Sequence, residues 1–308
     1  MIQHRRRRFA VVAAGLLATC AITGCGSAAD PATSSSHADL IRIVASTDVY
    51  GDIAEQIGGT HVSVTSIIDS PTQDPHSYTA SAQDQLALSK ADIVIENGGG
   101  YDDFIDSMLA TAKKSSATVL NAVDISGKTA PHGGDLNEHV WYDLPSMGKL
   151  AGRLSAALTA TDPGHAADYR ATAASFDAKL GQLEKAESRV RAQHAGEAVA
   201  ITEPVPLYLL QACGLVNKTP PEFSEAVEDG DGASARVVQQ TTDLFSHKAV
   251  RLLAYNEQTV DPLTERVLAA AKANDVDVVA VTETLPDGTD YVSWMTSNIA
   301  AVQRALSS

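Results

Sequence analysis

Cysteine is scarce in this chain of 308 residues, which holds only Cys20, Cys25 and Cys213. Three are too few for a disulfide framework, and none are paired at the CxxC spacing of a zinc or redox site. A cysteine-ligated zinc site is therefore excluded. Basic charge is also short: 23 Lys and Arg stand against 38 Asp and Glu, a net charge of −15. Arg5 to Arg8 fall in the first 24 positions, which carry no acid, so the remainder is more acidic still. Such a surface repels phosphates, which argues against a nucleic-acid partner. The apolar run from Phe9 to Ile22 is about 14 residues, short of the roughly 20 that span a bilayer. HExxH, a GK[ST] phosphate loop and a serine or cysteine nucleophile motif are all missing. What remains is 44% hydrophobic and 20% charged, ordinary for a globular chain of about two domains.

The N-terminus reads as an address. A basic stretch, a short apolar run and Ile22-Thr23-Gly24-Cys25 form a signal peptide over residues 1–24 that ends like a bacterial lipobox. Cleavage before Cys25 and lipidation of its thiol are expected, with residues 25–38 as a Ser/Ala/Pro-rich tether. Cys213 sits in an apolar helical pattern, as a buried and inert thiol would. The mature protein is expected outside the cell, lipid-anchored to the outer face of the membrane.

Downstream, short apolar runs alternate with helical patterns. Ile41 to Ala45, Val62 to Ile68, Asp92 to Ile95 and Thr118 to Val123 read as strands. A second set comprises Ala198 to Thr202, Val250 to Tyr255 and Val276 to Val281. Helical spacing separates them, so βαβ units and parallel sheets are expected. Between the sets, Leu144, Met147, Leu150, Leu154 and Leu158 form one helix face. After Asp162-Pro163, Tyr169, Phe176, Leu183 and Val190 recur every seven residues, predicting a rod from Pro163 to Arg191. The expected architecture is α/β: two Rossmann-like lobes, 39–161 and 195–308, joined by a long rigid helix over 162–194. Such a body is stiff rather than widely hinged.

Four segments just after strands carry chemistry: Asp74-Pro75-His76-Ser77-Tyr78, Asn137 to Asp143, Thr202-Glu203-Pro204 and Thr282-Glu283-Thr284. In open α/β sheets, ligands bind beyond the carboxyl ends of the strands. Two such edges facing each other would bring together His76, His139, Glu203 and Glu283, a donor set for a first-row divalent cation. Taken singly, each has a blander explanation. A lone His is usually a hydrogen-bonded loop residue, a Glu can cap a helix, and Trp141 and Tyr142 suit packing. His132, beside two glycines, reads as solvated; His37, His61, His165, His194 and His247 read as surface residues. Asn97 to Gly100 lacks the dinucleotide spacing and reads as a turn at the cleft wall.

From about residue 39 to the end, the chain resembles the solute-binding lipoproteins of zinc/manganese ABC importers, the cluster 9 group. The resemblance rests on DPHSY, NEHVWYD, TEP with Tyr208-Leu209-Leu210, and TET with Tyr291 to Leu306. It implies His76 as first ligand and His139 as second. The third position is His in typical zinc binders and Glu in typical manganese binders, and here it is Glu203. The fourth is usually Asp; Glu283 stands there, with Asp287 as the alternative. The loop before His139 is also shorter and poorer in His than in many zinc importers. The resemblance implies capture of Mn2+ or Zn2+ by a monomer, with delivery to an ABC permease and no catalysis. A metal-dependent envelope hydrolase and a surface adhesin or scaffold with a structural metal are the alternatives.

Overall fold

The computed structural model describes residues 40–70, 73, 78–112, 116–130 and 135–308. The first sheet is built from β1 (Ile41–Thr47), β2 (Val62–Ile68), β3 (Ile93–Glu96) and β4 (Thr118–Asn121). Helices α1 (Asp48–Gly58), α2 (Ala82–Lys90) and α3 (Asp103–Thr111) connect them, and α4 (Ala122–Ser126) follows. Next come α5 (Leu144–Thr161) and α6 (Ala166–His194). The second sheet holds β5 (Ala198–Ile201), β6 (Val216–Asn217), β7 (Leu252–Asn256) and β8 (Asp277–Val281). Its helices are α7 (Leu207–Ala212), α8 (Pro221–Glu228), α9 (Ala235–Ser246), α10 (Pro262–Ala273) and α11 (Tyr291–Leu306).

Both sheets are parallel throughout and share one topology, β2-β1-β3-β4 and β6-β5-β7-β8. The apolar runs explain the order. β3 and β7 are buried along their whole length and stand inside their sheets, as strands covered on both faces must. β2 alternates over its first five residues and lies at an edge. In each sheet the order reverses beside the first strand, leaving a crevice at the carboxyl ends of β1 and β3 and of β5 and β7. The two-residue β6 and the helix α8 have no counterpart in the sequence reading; both are too short for periodicity to register.

Helix α5 is capped by Asp143, whose side chain accepts the Ser146 N–H, and buries the five expected apolar residues. The rod α6 has 29 residues, on the order of 43 Å at 1.5 Å per residue. It starts three residues later than the pattern predicts. Asp162 accepts the Gly164 N–H and pairs with His165 and the Tyr169 hydroxyl, which winds Pro163–His165 into a 3-10 turn. Its buried residues Tyr169, Phe176, Leu183 and Val190 are the predicted heptad stripe. These join one core running from Ile43 and Tyr50 through α5 and α6 to Ile201, Tyr291 and Met295. A core continuous through both sheets makes the body stiff. His61 and His165 are not simple surface residues: they are partly buried and stack at 3.9 Å, each facing an aspartate.

Candidate metal centre

The segment between α4 and α5 explains why Asn and His stand two apart. Asn137 Nδ2 donates to the Pro204 carbonyl at 3.1 Å, which fixes the amide so that Oδ1 faces His139. That oxygen lies 3.1 Å from the His139 backbone N–H and 2.7 Å from His139 Nδ1. An amide oxygen can only accept, so Nδ1 carries the hydrogen and Nε2 is the nitrogen turned toward the second lobe. The ring is fully buried and rests edgewise on Trp141 and Tyr101, at 5.0 and 5.9 Å between centroids. Trp141 and Tyr142 thus pack, as expected, and Tyr142 also donates to the Thr282 carbonyl at 2.8 Å.

Glu203 follows β5 and is 2% exposed. Its Oε2 is buried without a hydrogen-bond partner among the described residues, an acceptor open to a cation. Burial first, then the charges of Glu283 and Glu228, push its carboxyl up to about 8. Glu283 follows β8 and is 1% exposed. Its Oε1 accepts from Asn256 Nδ2 at 2.8 Å and its Oε2 from the Tyr101 hydroxyl at 3.1 Å. Gln258 Oε1 accepts the backbone N–H groups of Glu283 and Thr284, holding that turn.

A further carboxylate stands here that the sequence reading missed. Glu228 Oε1 lies 3.2 Å from His139 Nε2. With Glu138 they form a group whose donor atoms all lie within 4.8 Å of one another. Burial alone would lower the His139 imidazole. The Glu228 carboxylate overrides it, helped by Glu138 and Glu283, and holds it at about 9. In the metal-free protein a proton therefore stands where a cation would neutralise the same charges. A buried, oriented imidazole grouped with Glu138 and Glu228 fits a hard or borderline dication, and Glu203 and Glu283 stand outside that group.

His76 and Cys25 lie outside the described residues, as does His132. The neighbours of His76 are placed: Tyr78 donates to Asp84 at 2.9 Å, and the Gln73 carbonyl accepts from Gln258 at 3.4 Å. The second contact ties the segment to the turn that carries Glu283. Asp287 is exposed and lines a separate acidic cavity of about 290 Å³ with Asp48, Asp52 and Asp69. The Asn97 to Gly100 turn has a defined task. Gly98, Gly99 and Gly100 all have positive φ, and a Cβ on Gly98 would meet Asn121 at 2.1 Å. This backbone delivers Tyr101 to Glu283.

Residues 43–305 match the family model of the periplasmic zinc-uptake complex component A, ZnuA. The chain belongs to this family. Its members are metal-binding solute-binding proteins of ABC importers. The chain is 30% identical over 275 residues to the manganese-binding lipoprotein MntA of Bacillus subtilis, covering 86% of each. It is 25% identical over 179 residues to the iron ABC transporter substrate-binding lipoprotein MtsA of Streptococcus pyogenes serotype M1, 55% of each chain. The periplasmic zinc-binding protein TroA of Treponema pallidum shares the fold, with a TM-score of 0.74 at 19% identity. That match covers 87% of this member of the ZnuA family and 99% of TroA.

Proposed function

We propose that this protein captures a divalent transition metal, Mn2+ or Zn2+, outside the cytoplasmic membrane and hands it to an ABC permease. The ligands are His76 and His139 from the first lobe and Glu203 and Glu283 from the second. The observation that carries this reading is the pinned imidazole of His139, with Nε2 turned to the other lobe, 3.2 Å from Glu228. The lobes span 39–161 and 195–308, with 162–194 as the strut between them. With four protein ligands, and carboxylates able to bind through both oxygens, little room remains for an attacking water, which supports a carrier over an enzyme. Cleavage of residues 1–24 and lipidation of Cys25 anchor a monomer to the outer face of the membrane. This agrees with the lipoprotein character of the named relatives. Among the described residues, no helix is long and apolar enough to cross a membrane.

Metal analysis of protein purified without added metal, followed by calorimetric titration, tests this reading. His76→Ala and His139→Ala should each abolish tight binding, while His132→Ala leaves it unchanged. Equal affinities across the three variants would refute the ligand assignment.

A further inference from the structure

We propose that Glu228 is itself a ligand of the captured cation, sharing it with His139. The inference rests on the carrier reading above and extends its donor set. Glu228 is the last residue of α8, whose Phe223 and Val227 are buried in the outer core of the second lobe. A packed helix, not a loose loop, therefore delivers this carboxylate. Its side chain is only 11% exposed.

The distance decides what the group can do. Two donors that share one ion, each about 2.1 Å from it and 90–110° apart, lie about 3.0–3.4 Å from one another. The 3.2 Å between Glu228 Oε1 and His139 Nε2 is such a separation, and Nε2 is the nitrogen that Asn137 leaves for the metal. A cation bound to Nε2 on its lone-pair side has this oxygen within reach without movement of α8. The charge balance agrees. Glu138 and Glu228 stand with the buried imidazole of His139 in one group of donors within 4.8 Å, and carboxylates gathered at that density suit a dication. A third carboxylate also raises the coordination number the protein can supply. That favours an oxygen-preferring ion of five or six ligands over tetrahedral zinc.

The rival role is a placeholder that pairs with His139 only while the metal is absent and then withdraws. Glu228→Gln keeps the shape and removes the charge, and separates the two. A ligand role predicts that manganese affinity falls tenfold or more and zinc affinity falls less. It also predicts stronger visible d–d bands in the Co2+-loaded variant, because its coordination number drops. Unchanged or tighter manganese binding with an unchanged Co2+ spectrum would overturn the proposal. Glu228→Asp, which shortens the reach by one methylene, should also weaken manganese; its melting curve shows whether the fold is intact. His139→Ala is measured alongside. If it binds metal like the wild type, the carrier reading itself fails. If it loses binding while Glu228→Gln keeps it, only the role of Glu228 fails.

Discussion

The Tyr101 hydroxyl donates to Glu283 Oε2 at 3.1 Å, joining the glycine turn after β3 to the turn after β8 across the two lobes. Both residues are buried, so the bond is sheltered from competing water. It fixes one oxygen of a proposed ligand, as partners behind metal ligands commonly do.

Tyr101→Phe keeps the ring against His139 and Trp141 and removes only that donor. Metal affinity should fall by about tenfold, the lower end of what such orienting bonds contribute. Titration calorimetry measures it, and an unchanged affinity would show that Asn256 alone orients Glu283.

Protons compete with the metal, and the structure moves that competition upward. Unperturbed imidazoles would make affinity fall as pH drops through about 6.5. Here His139 is held at about 9 and Glu203 at about 8, so at pH 7 the metal displaces a proton from each. Affinity should climb steeply between pH 7 and 9, with protons released on binding. Calorimetry in buffers of different ionisation enthalpy counts those protons.

The same groups set how the stability of the metal-free protein depends on pH. Glu203 and Glu187 rise from 4.5 to about 8, Asp48 from 3.8 to about 6, and His139 from 6.5 to about 9. Burial is the first cause for the three acids; for His139 the neighbouring carboxylates outweigh it. All four bind protons more tightly folded than unfolded. Their contribution is present below the unfolded values and is lost as pH rises through the folded ones. Metal-free protein should therefore melt at progressively lower temperature from pH 5 to 9. Saturating metal should flatten that slope, since it takes over the charges of Glu203 and His139. A metal-free melting temperature that rises over this range would contradict the buried carboxyls.

Glu203→His tests the metal preference. Replacing a buried carboxylate with a third imidazole moves the centre toward nitrogen donors, which suit zinc. Zinc affinity should hold or rise while manganese affinity falls about tenfold, or about 1.4 kcal/mol. Wild-type protein should still bind zinc at least as tightly as manganese in solution, because zinc stands higher in the divalent series. Competition between the two ions reads the ratio, and an unchanged ratio would remove Glu203 from the ligand set.

Cys25→Ala should release the protein from the membrane fraction, since stable anchoring takes two or more acyl chains and this variant offers no thiol for them. Retention after a high-salt wash would contradict a lipid anchor.

The chain's local chemistry determined most of the frame. Apolar runs such as Ile93 to Ile95 and the seven-residue stripe from Tyr169 to Val190 are set by neighbours along the chain, so strands, rod and lobes were legible as pattern. The positions of Glu203 and Glu283 just after β5 and β8 were legible for the same reason, whereas His139 lies beyond α4, at the start of the 3-10 turn before α5. Tertiary structure decided what surrounds them. Glu228 lies 89 positions from His139 and Tyr101 lies 182 from Glu283, and no periodicity relates residues so far apart. The pinning of His139 by Asn137 also depends on the Pro204 carbonyl of the other lobe, which orients the amide. Strand ends can be read from sequence because backbone geometry is local. The donors that meet there depend on how two sheets pack about one rod, and only the assembled core specifies that.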